Sequence, residues 1–205
     1  GGVRGYAHVF QRPADGMLTL KGLVDKPASA SLVGGSAFPI SGGEGAWAVQ
    51  LPETLNPVAA VVALDFKSKP AVREIIAEPD AKGVLKLDAT DAKTIGNSIR
   101  LEGEHIGFWT DAKDSVSWKA KLPAGSYKVA MDGALLSGNS ALTLKAGEST
   151  LTVRFPSTGA WASYRSTDAG TLTVTGNAAE ISLLPVSKES DGFINLRSIT
   201  LTKQS

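Results

Sequence analysis

Two short stretches near the end of the chain carry the residue types and spacing best suited to chemistry: Thr158-Gly159-Ala160-Trp161-Ala162-Ser163-Tyr164 and Asp191-Gly192-Phe193-Ile194-Asn195-Leu196. The first puts an indole in a Gly-flanked loop between strand-like segments. The second leads into a final strand that opens with Asn195. A flat indole stacks on the apolar face of a pyranose, and an amide bonds its hydroxyls. Aromatic stacking on a flat partner contributes about 1–3 kcal/mol in the nucleic-acid case, so a single site of this type is expected to bind with a Kd of roughly 0.1–1 mM. Trp161 has Gly159 and Ser163 at plus and minus two, with no apolar neighbour there, and so is either an exposed platform or an edge-packing ring. A third stretch, Ile106-Gly107-Phe108-Trp109-Thr110-Asp111, holds two adjacent aromatics. Adjacent residues of an extended segment face opposite sides, so one of the pair is expected in the core and the other outward.

The elements that must position these loops read almost entirely as strands. Val116, Trp118, Ala120 and Leu122 alternate with Ser117, Lys119 and Lys121, and Leu151, Val153 and Phe155 alternate with Thr152 and Arg154. Tyr127, Val129 and Met131 repeat the pattern, as do Leu172 and Val174. This is the period of half-buried antiparallel strands. Turn signals separate them at Pro123-Ala124-Gly125, Ser137-Gly138-Asn139, Ala146-Gly147-Glu148 and Thr175-Gly176-Asn177. Earlier strands are predicted over Val3–Phe10, Met17–Val24, Ser29–Val33, Ala46–Leu51 and Val58–Phe66. The mid-strand registers of Trp118 and Trp47 make both core residues. Ala71 to Ala77, bracketed by Pro70 and Pro79, reads as a connection or an extra strand. The fold class is therefore all-β, two tandem antiparallel β-sandwiches, with domains 1–79 and 80–205.

A chain of 205 residues at net charge +1 offers no basic footprint for nucleic acid or anionic membrane. Without cysteine there is no disulfide framework and no thiolate chemistry. The longest apolar run, Pro57 to Phe66, is far short of the ~20 residues of a membrane helix. The opening Gly1-Gly2, without Met, reads as a mature or excised terminus.

Signals for catalysis are sparse. His8 sits inside a strand pattern. His105, beside Glu102 and Glu104, has a spacing that suits a solvated loop as well as a ligand cluster. Asp111, Asp114, Asp168, Glu189 and Asp191 are loop carboxylates. A glycosidase pair must be held ~5 or ~6.5–9.5 Å apart, which spacing along the chain does not establish. No nucleophile elbow or phosphate loop occurs, and the chain is read as non-catalytic.

Two resemblances emerge. Val3 and Tyr6-Ala7-His8-Val9-Phe10, then Pro13-Ala14-Asp15-Gly16, Leu18-Thr19-Leu20-Lys21-Gly22-Leu23, Leu51-Pro52 and Val61-Val62-Ala63-Leu64 resemble the β-sandwich that follows the catalytic barrel in family 29 α-L-fucosidases. Ile106 to Asp111, Asp114-Ser115-Val116-Ser117-Trp118, Pro123 to Tyr127, Thr158 to Trp161 and Gly192 to Leu196 resemble galactose-binding-like carbohydrate-binding modules of families 6 and 35. The second resemblance implies a jelly roll with its ligand on loops at one end. Trp161 would be the platform, Phe108 or Trp109 the second wall, and Asn195 the hydroxyl partner, with Tyr164 and Asp191 nearby. It also implies a structural calcium between first and last strands. Here Thr90 stands where a Glu is usual and Arg197 where an Asp is usual, so that site is expected to be lost, with Asp88 and Asp91 as the weaker alternative. Together the resemblances imply an accessory region of a fucosidase-like glycoside hydrolase, secreted or periplasmic. Its partners would be a fucosylated or galactosylated glycan and an upstream catalytic domain of the same parent protein. The alternative is a pair of sandwiches that packs on that domain, or on a partner subunit, without binding sugar. In that case Leu135, Leu136 and the surface around Ala141 would form an interface.

Overall fold

The computed structural model describes residues 2–9, 12–13, 15–55 and 60–204. The predicted positions Phe10, Ala14 and 57–59 lie outside these described residues. By its contacts the chain divides into two compact units, Gly1–Ile75 and Ile76–Ser205, four residues ahead of the boundary read from sequence. The reason is local. Ala77 donates its N–H to the Lys119 carbonyl and accepts from Lys121 N–H, each at 2.9 Å, so the end of the connection is bound into the second unit.

The first unit contains β1 (Val3–Val9), β2 (Met17–Lys21), β3 (Ser29–Leu32), β4 (Ile40–Gly43), β5 (Ala46–Gln50) and β6 (Ala60–Phe66). They form two three-stranded antiparallel sheets, β1-β6-β3 and β2-β5-β4. Between them lies a core of Val9, Leu23, Ala30, Val49, Leu51, Val62, Leu64 and Phe66. Trp47 packs against this core half-buried, donating its indole N–H to the Val24 carbonyl at 3.0 Å. Residues 71–77 form neither helix nor strand, with an isolated bridge from Val72 to Leu23.

The second unit contains β7 (Val84–Asp88), β8 (Lys93–Ile95), β9 (Arg100–Glu102), β10 (His105–Gly107), β11 (Ser115–Leu122), β12 (Gly125–Ala134), β13 (Asn139–Ala146), β14 (Ser149–Pro156), β15 (Arg165–Val174), β16 (Ala178–Lys188) and β17 (Asn195–Lys203). The predicted alternations fall on β11, β12, β14 and β15. Only the single 3-10 turn Ala89–Asp91 interrupts the strands among the described residues. One sheet runs β14-β13-β16-β11-β8. The other runs β15-β12-β17 and then divides, because β7 pairs with the later part of β17 and the β9–β10 hairpin with its start. The faces between the sheets bury Trp109, Trp118, Tyr127, Phe155 and Phe193 almost completely. Each large side chain so buried contributes about 2–3 kcal/mol, provided its polar atom is satisfied. Trp118 Nε1–H meets the Asp88 carbonyl at 2.8 Å, and the Tyr127 hydroxyl meets the Pro123 carbonyl at 2.8 Å. Leu135 is fully buried and belongs to this core, which removes it from the expected interface; Leu136 is exposed.

Candidate functional site

Three loops meet at the end of the second unit where β17 begins. β10 runs antiparallel to β17 with Ile106 opposite Leu196, so the chain leaving β10 enters its aromatic stretch beside Asn195. The β14–β15 loop is pinned by Thr158. Its N–H donates to the Leu135 carbonyl at 2.9 Å, and its hydroxyl accepts from Leu135 N–H at 2.9 Å. The 189–194 loop is tied at both ends. Glu189 accepts from the backbone and side-chain N–H groups of Asn139 at 3.1 and 3.0 Å. The buried Ser140 hydroxyl donates to the Phe193 carbonyl.

These loops enclose a concave site of about 360 Å³, lined by Glu102, Phe108, Trp109, Thr110, Trp161, Asp191, Gly192, Phe193, Ile194 and Asn195. That volume lies within the usual range for small-molecule sites, roughly 300–1,000 Å³. Of the residues singled out from sequence, Trp161, Phe108, Trp109, Asn195 and Asp191 converge here. Tyr164 does not line the site.

The two adjacent aromatics separate, one outward and one into the core, but not by extended alternation, since Phe108 lies in the left-handed region. Phe108 is 51 % exposed and Trp109 is 1 % exposed. Trp109 is therefore excluded as a stacking wall. Its indole N–H donates to the Asp114 carbonyl at 3.2 Å, its ring lies 6.1 Å from that of Phe193, and it forms part of the floor. Phe108 takes φ of 52°, and the Arg100 guanidinium lies 3.6 Å over its ring. Trp161 is half-buried and packs against the core. It crosses Gly192 so closely that a Cβ there would stand 3.1 Å from its ring, so the glycine makes room for the indole. Asn195 donates its amide N–H to the Trp161 carbonyl at 2.9 Å, so part of its hydrogen-bonding capacity already holds the platform loop.

Beneath the Phe108 loop lies a second support. The carboxylate of Asp114, itself 2 % exposed, accepts from the N–H groups of Asn97, Ser98 and Ile99 at 3.1, 3.0 and 2.9 Å, and from the Ser98 hydroxyl. Burial works to raise its pKa, but the Ser98 hydroxyl and the three backbone donors outweigh burial and hold it below the ordinary carboxylate value. The Ser98 hydroxyl oxygen in turn accepts from Thr110 and Asp111 N–H at 3.3 and 3.4 Å.

Glu102, weighed in sequence only with Glu104 and His105 as a ligand cluster or solvated loop, lines the site. It comes from the β9–β10 hairpin, whose signal is the Glu102-Gly103-Glu104 turn between Leu101 and Ile106. Its carboxylate lies 3.5 Å from Arg100 Nε and 3.8 Å from His105 Nε2. His105 is half-buried, and burial first, with Arg197 adding to it, lowers its pKa against the opposing pull of Glu102. Tyr164 stands edge-on to His105 at 5.8 Å, with the Arg197 guanidinium 3.6 Å over its ring.

The expected calcium position is a different cavity, about 290 Å³, lined by Lys86, Asp88, Thr90, Glu104, Asp132, Arg197 and Ser198. Calcium needs several converging oxygen ligands. No group of metal-capable residues converges among the described residues, and Lys86 Nζ already sits 2.7 Å from the Asp88 carboxylate. The side chains present do not fit a calcium ion. Asp91 lies in the 3-10 turn and does not line this cavity.

No family model matches the sequence, and no curated protein does. Solved structures do resemble it. The C-terminal family 6 carbohydrate-binding module of a marine laminarinase from Zobellia galactanivorans is 22 % identical at a TM-score of 0.50, over 58 % of this chain and 99 % of that one. A family 6 module from Cellvibrio mixtus lichenase 5A, in complex with cellotriose, is 20 % identical at 0.50, over 58 % and 97 %. The isomalto-dextranase of Arthrobacter globiformis T6, complexed with panose, is 16 % identical at 0.50 and matches 98 % of this chain, which spans 35 % of that one. At these identities the likeness is one of fold: the chain is all-β, and its second unit is a jelly roll of the kind found in family 6 carbohydrate-binding modules.

Proposed function

We propose that the second unit binds glycan in the site at the start of β17, with Trp161 as platform, Phe108 as facing wall, and Glu102, Asp191 and Asn195 as hydroxyl partners. The observation that carries this reading is the pairing of a half-buried indole with an exposed phenyl ring across a concave site that also holds two carboxylates. Carboxylates accept from sugar hydroxyls with the strength of charge-assisted hydrogen bonds. The charged groups among the described lining residues are the carboxylates of Glu102 and Asp191, with Arg100 at the edge 3.5 Å from Glu102, and a neutral glycan is the expected ligand. The neighbours in complex with cellotriose and panose are in keeping with a neutral oligosaccharide.

The region serves as the non-catalytic accessory part of a longer glycoside hydrolase, concentrating substrate near a catalytic domain. A fucosidase-like parent, fucosylated or galactosylated ligands and an extracellular setting follow from the sequence resemblance and belong to this proposal. An array of neutral and anionic oligosaccharides probed with the chain tests it. Signal is expected on neutral members only. Preference for uronates, or silence on every glycan at millimolar concentration, contradicts it and favours the purely structural role.

A further inference from the structure

The cavity that does not fit calcium is nevertheless built to hold positive charge. Asp88 on β7 and Asp132 on β12 both stand opposite Ser198 on β17, so these side chains share one face across three adjacent strands. Glu104 comes from the turn between β9 and β10 and lines the same cavity. Asp88 and Asp132 are half-buried and Glu104 is exposed; carboxylates that line one cavity without converging on a single point still repel one another, and a cation among them relieves that repulsion.

The chain supplies that cation by a backbone device. Along β17 the alternation of side chains would send Arg197 to the face opposite Ser198. The pairing with β12 shifts at this point: Asp132 faces Ser198 while Gly133 faces Leu196. Arg197 is thus the extra residue of a β-bulge, and a bulge re-aims a side chain. Arg197 and Ser198 consequently line the same cavity. Lys86, two residues before Asp88 on β7, adds the second positive charge through its 2.7 Å ion pair.

Arg197 also reaches toward the candidate glycan site. Its guanidinium lies 3.6 Å over the Tyr164 ring, a cation–π geometry. Asn195 is a polar neighbour of the Tyr164 hydroxyl, and it donates to the Trp161 carbonyl at 2.9 Å.

We propose that Arg197, seconded by Lys86, is a built-in substitute for a metal ion: it neutralises Asp88, Asp132 and Glu104 and, through Tyr164 and Asn195, positions the Trp161 loop. A guanidinium stays charged at every working pH and no chelator removes it, so the unit has fixed its cation covalently. The link to Trp161 rests on the glycan-site proposal, whereas the neutralising role stands without it.

The test uses the full chain. Its thermal midpoint is expected to be the same in millimolar calcium and in excess chelator; a rise with calcium overturns the proposal. Arg197→Met keeps the aliphatic stem and removes the charge. It is expected to lower the midpoint in both conditions, while Arg197→Lys recovers much of the loss. Equal midpoints for all three proteins, or Lys no better than Met, contradict the neutralising role. The positioning role has a readout that needs no ligand. The acrylamide-quenchable tryptophan emission that disappears in Trp161→Phe should increase in Arg197→Met, and unchanged quenching removes the link. If the wild-type chain binds neutral oligosaccharide, Arg197→Met should weaken that binding roughly fivefold. If it binds none, the glycan reading fails while the midpoints still decide the role of the cation.

Discussion

Phe108 is the only non-glycine residue with positive φ among those described, at 52°. A left-handed conformation at a bulky residue costs of order 1–3 kcal/mol and persists where surrounding structure imposes it. Here the strain turns one of two adjacent rings out of the core and into the site. Phe108→Gly should therefore leave the thermal midpoint unchanged or higher while weakening oligosaccharide binding, as read by calorimetry; a large fall in midpoint would show that the ring is structural. Trp109 makes the opposite case. Buried and hydrogen-bonded to Asp114, it should cost about 3–5 kcal/mol when replaced by Ala, seen in chemical denaturation. The sequence made Trp161, Phe108 and Asn195 legible because small residues and the start of a strand flank them. It left open which of Phe108 and Trp109 faces solvent, since alternation assigns opposite faces without saying which is which. Tyr164, expected at the site from sequence, does not line it and instead stands edge-on to His105 with the Arg197 guanidinium over its ring, contacts that strand pairing brings together and spacing along the chain does not show.

At the scale of elements, buried polar groups tie the loops to the strands. Asp114 is the clearest instance, with three backbone N–H donors and the Ser98 hydroxyl on one carboxylate. Its folded pKa lies below the ordinary value near 3.8, so the folded state binds fewer protons than the unfolded state. That contribution to stability is complete above about pH 4 and is lost as pH falls through the lower folded value. Asp114→Asn should cost about 1–3 kcal/mol at neutral pH and flatten the fall in stability measured between pH 4 and pH 2. An unchanged acid profile would show that other carboxylates dominate. His105 acts at higher pH with the same sign. Its folded pKa is lowered from 6.5, chiefly by burial, so its contribution is present above that value and declines as acid protonates it in the folded state. The β9–β10 hairpin that carries His105 and Glu102 was hidden in sequence because each of its strands is three residues long, too short to display a period.

At the scale of the whole molecule, the all-β architecture was the most legible feature, since period-two alternation on β11, β12, β14 and β15 dictates which face is buried. The division near residue 76 was less so, because the pairing of Ala77 with β11 leaves no mark on composition. Each unit has its own core. Residues 76–205 are accordingly expected to fold alone, with a cooperative melt and the same oligosaccharide affinity as the full chain; a molten melt would show that the second core is incomplete without the first unit. The surface ion pairs, such as Lys121–Glu78 and Lys128–Asp168, are exposed and worth about 0–1 kcal/mol each. Moderate salt should therefore shift the melting midpoint little.

The central claim is that Trp161 is a platform for neutral glycan. Its most direct test is a calorimetric titration of the chain and of Trp161→Ala with neutral oligosaccharides that include cello-, isomalto-, galacto- and fucosylated members, alongside their thermal midpoints. The account predicts saturable binding with a Kd of roughly 0.1–1 mM, lost in the variant while the midpoint stays close to that of the parent. Equal binding by both proteins, or a variant that loses binding only because it unfolds, would contradict it.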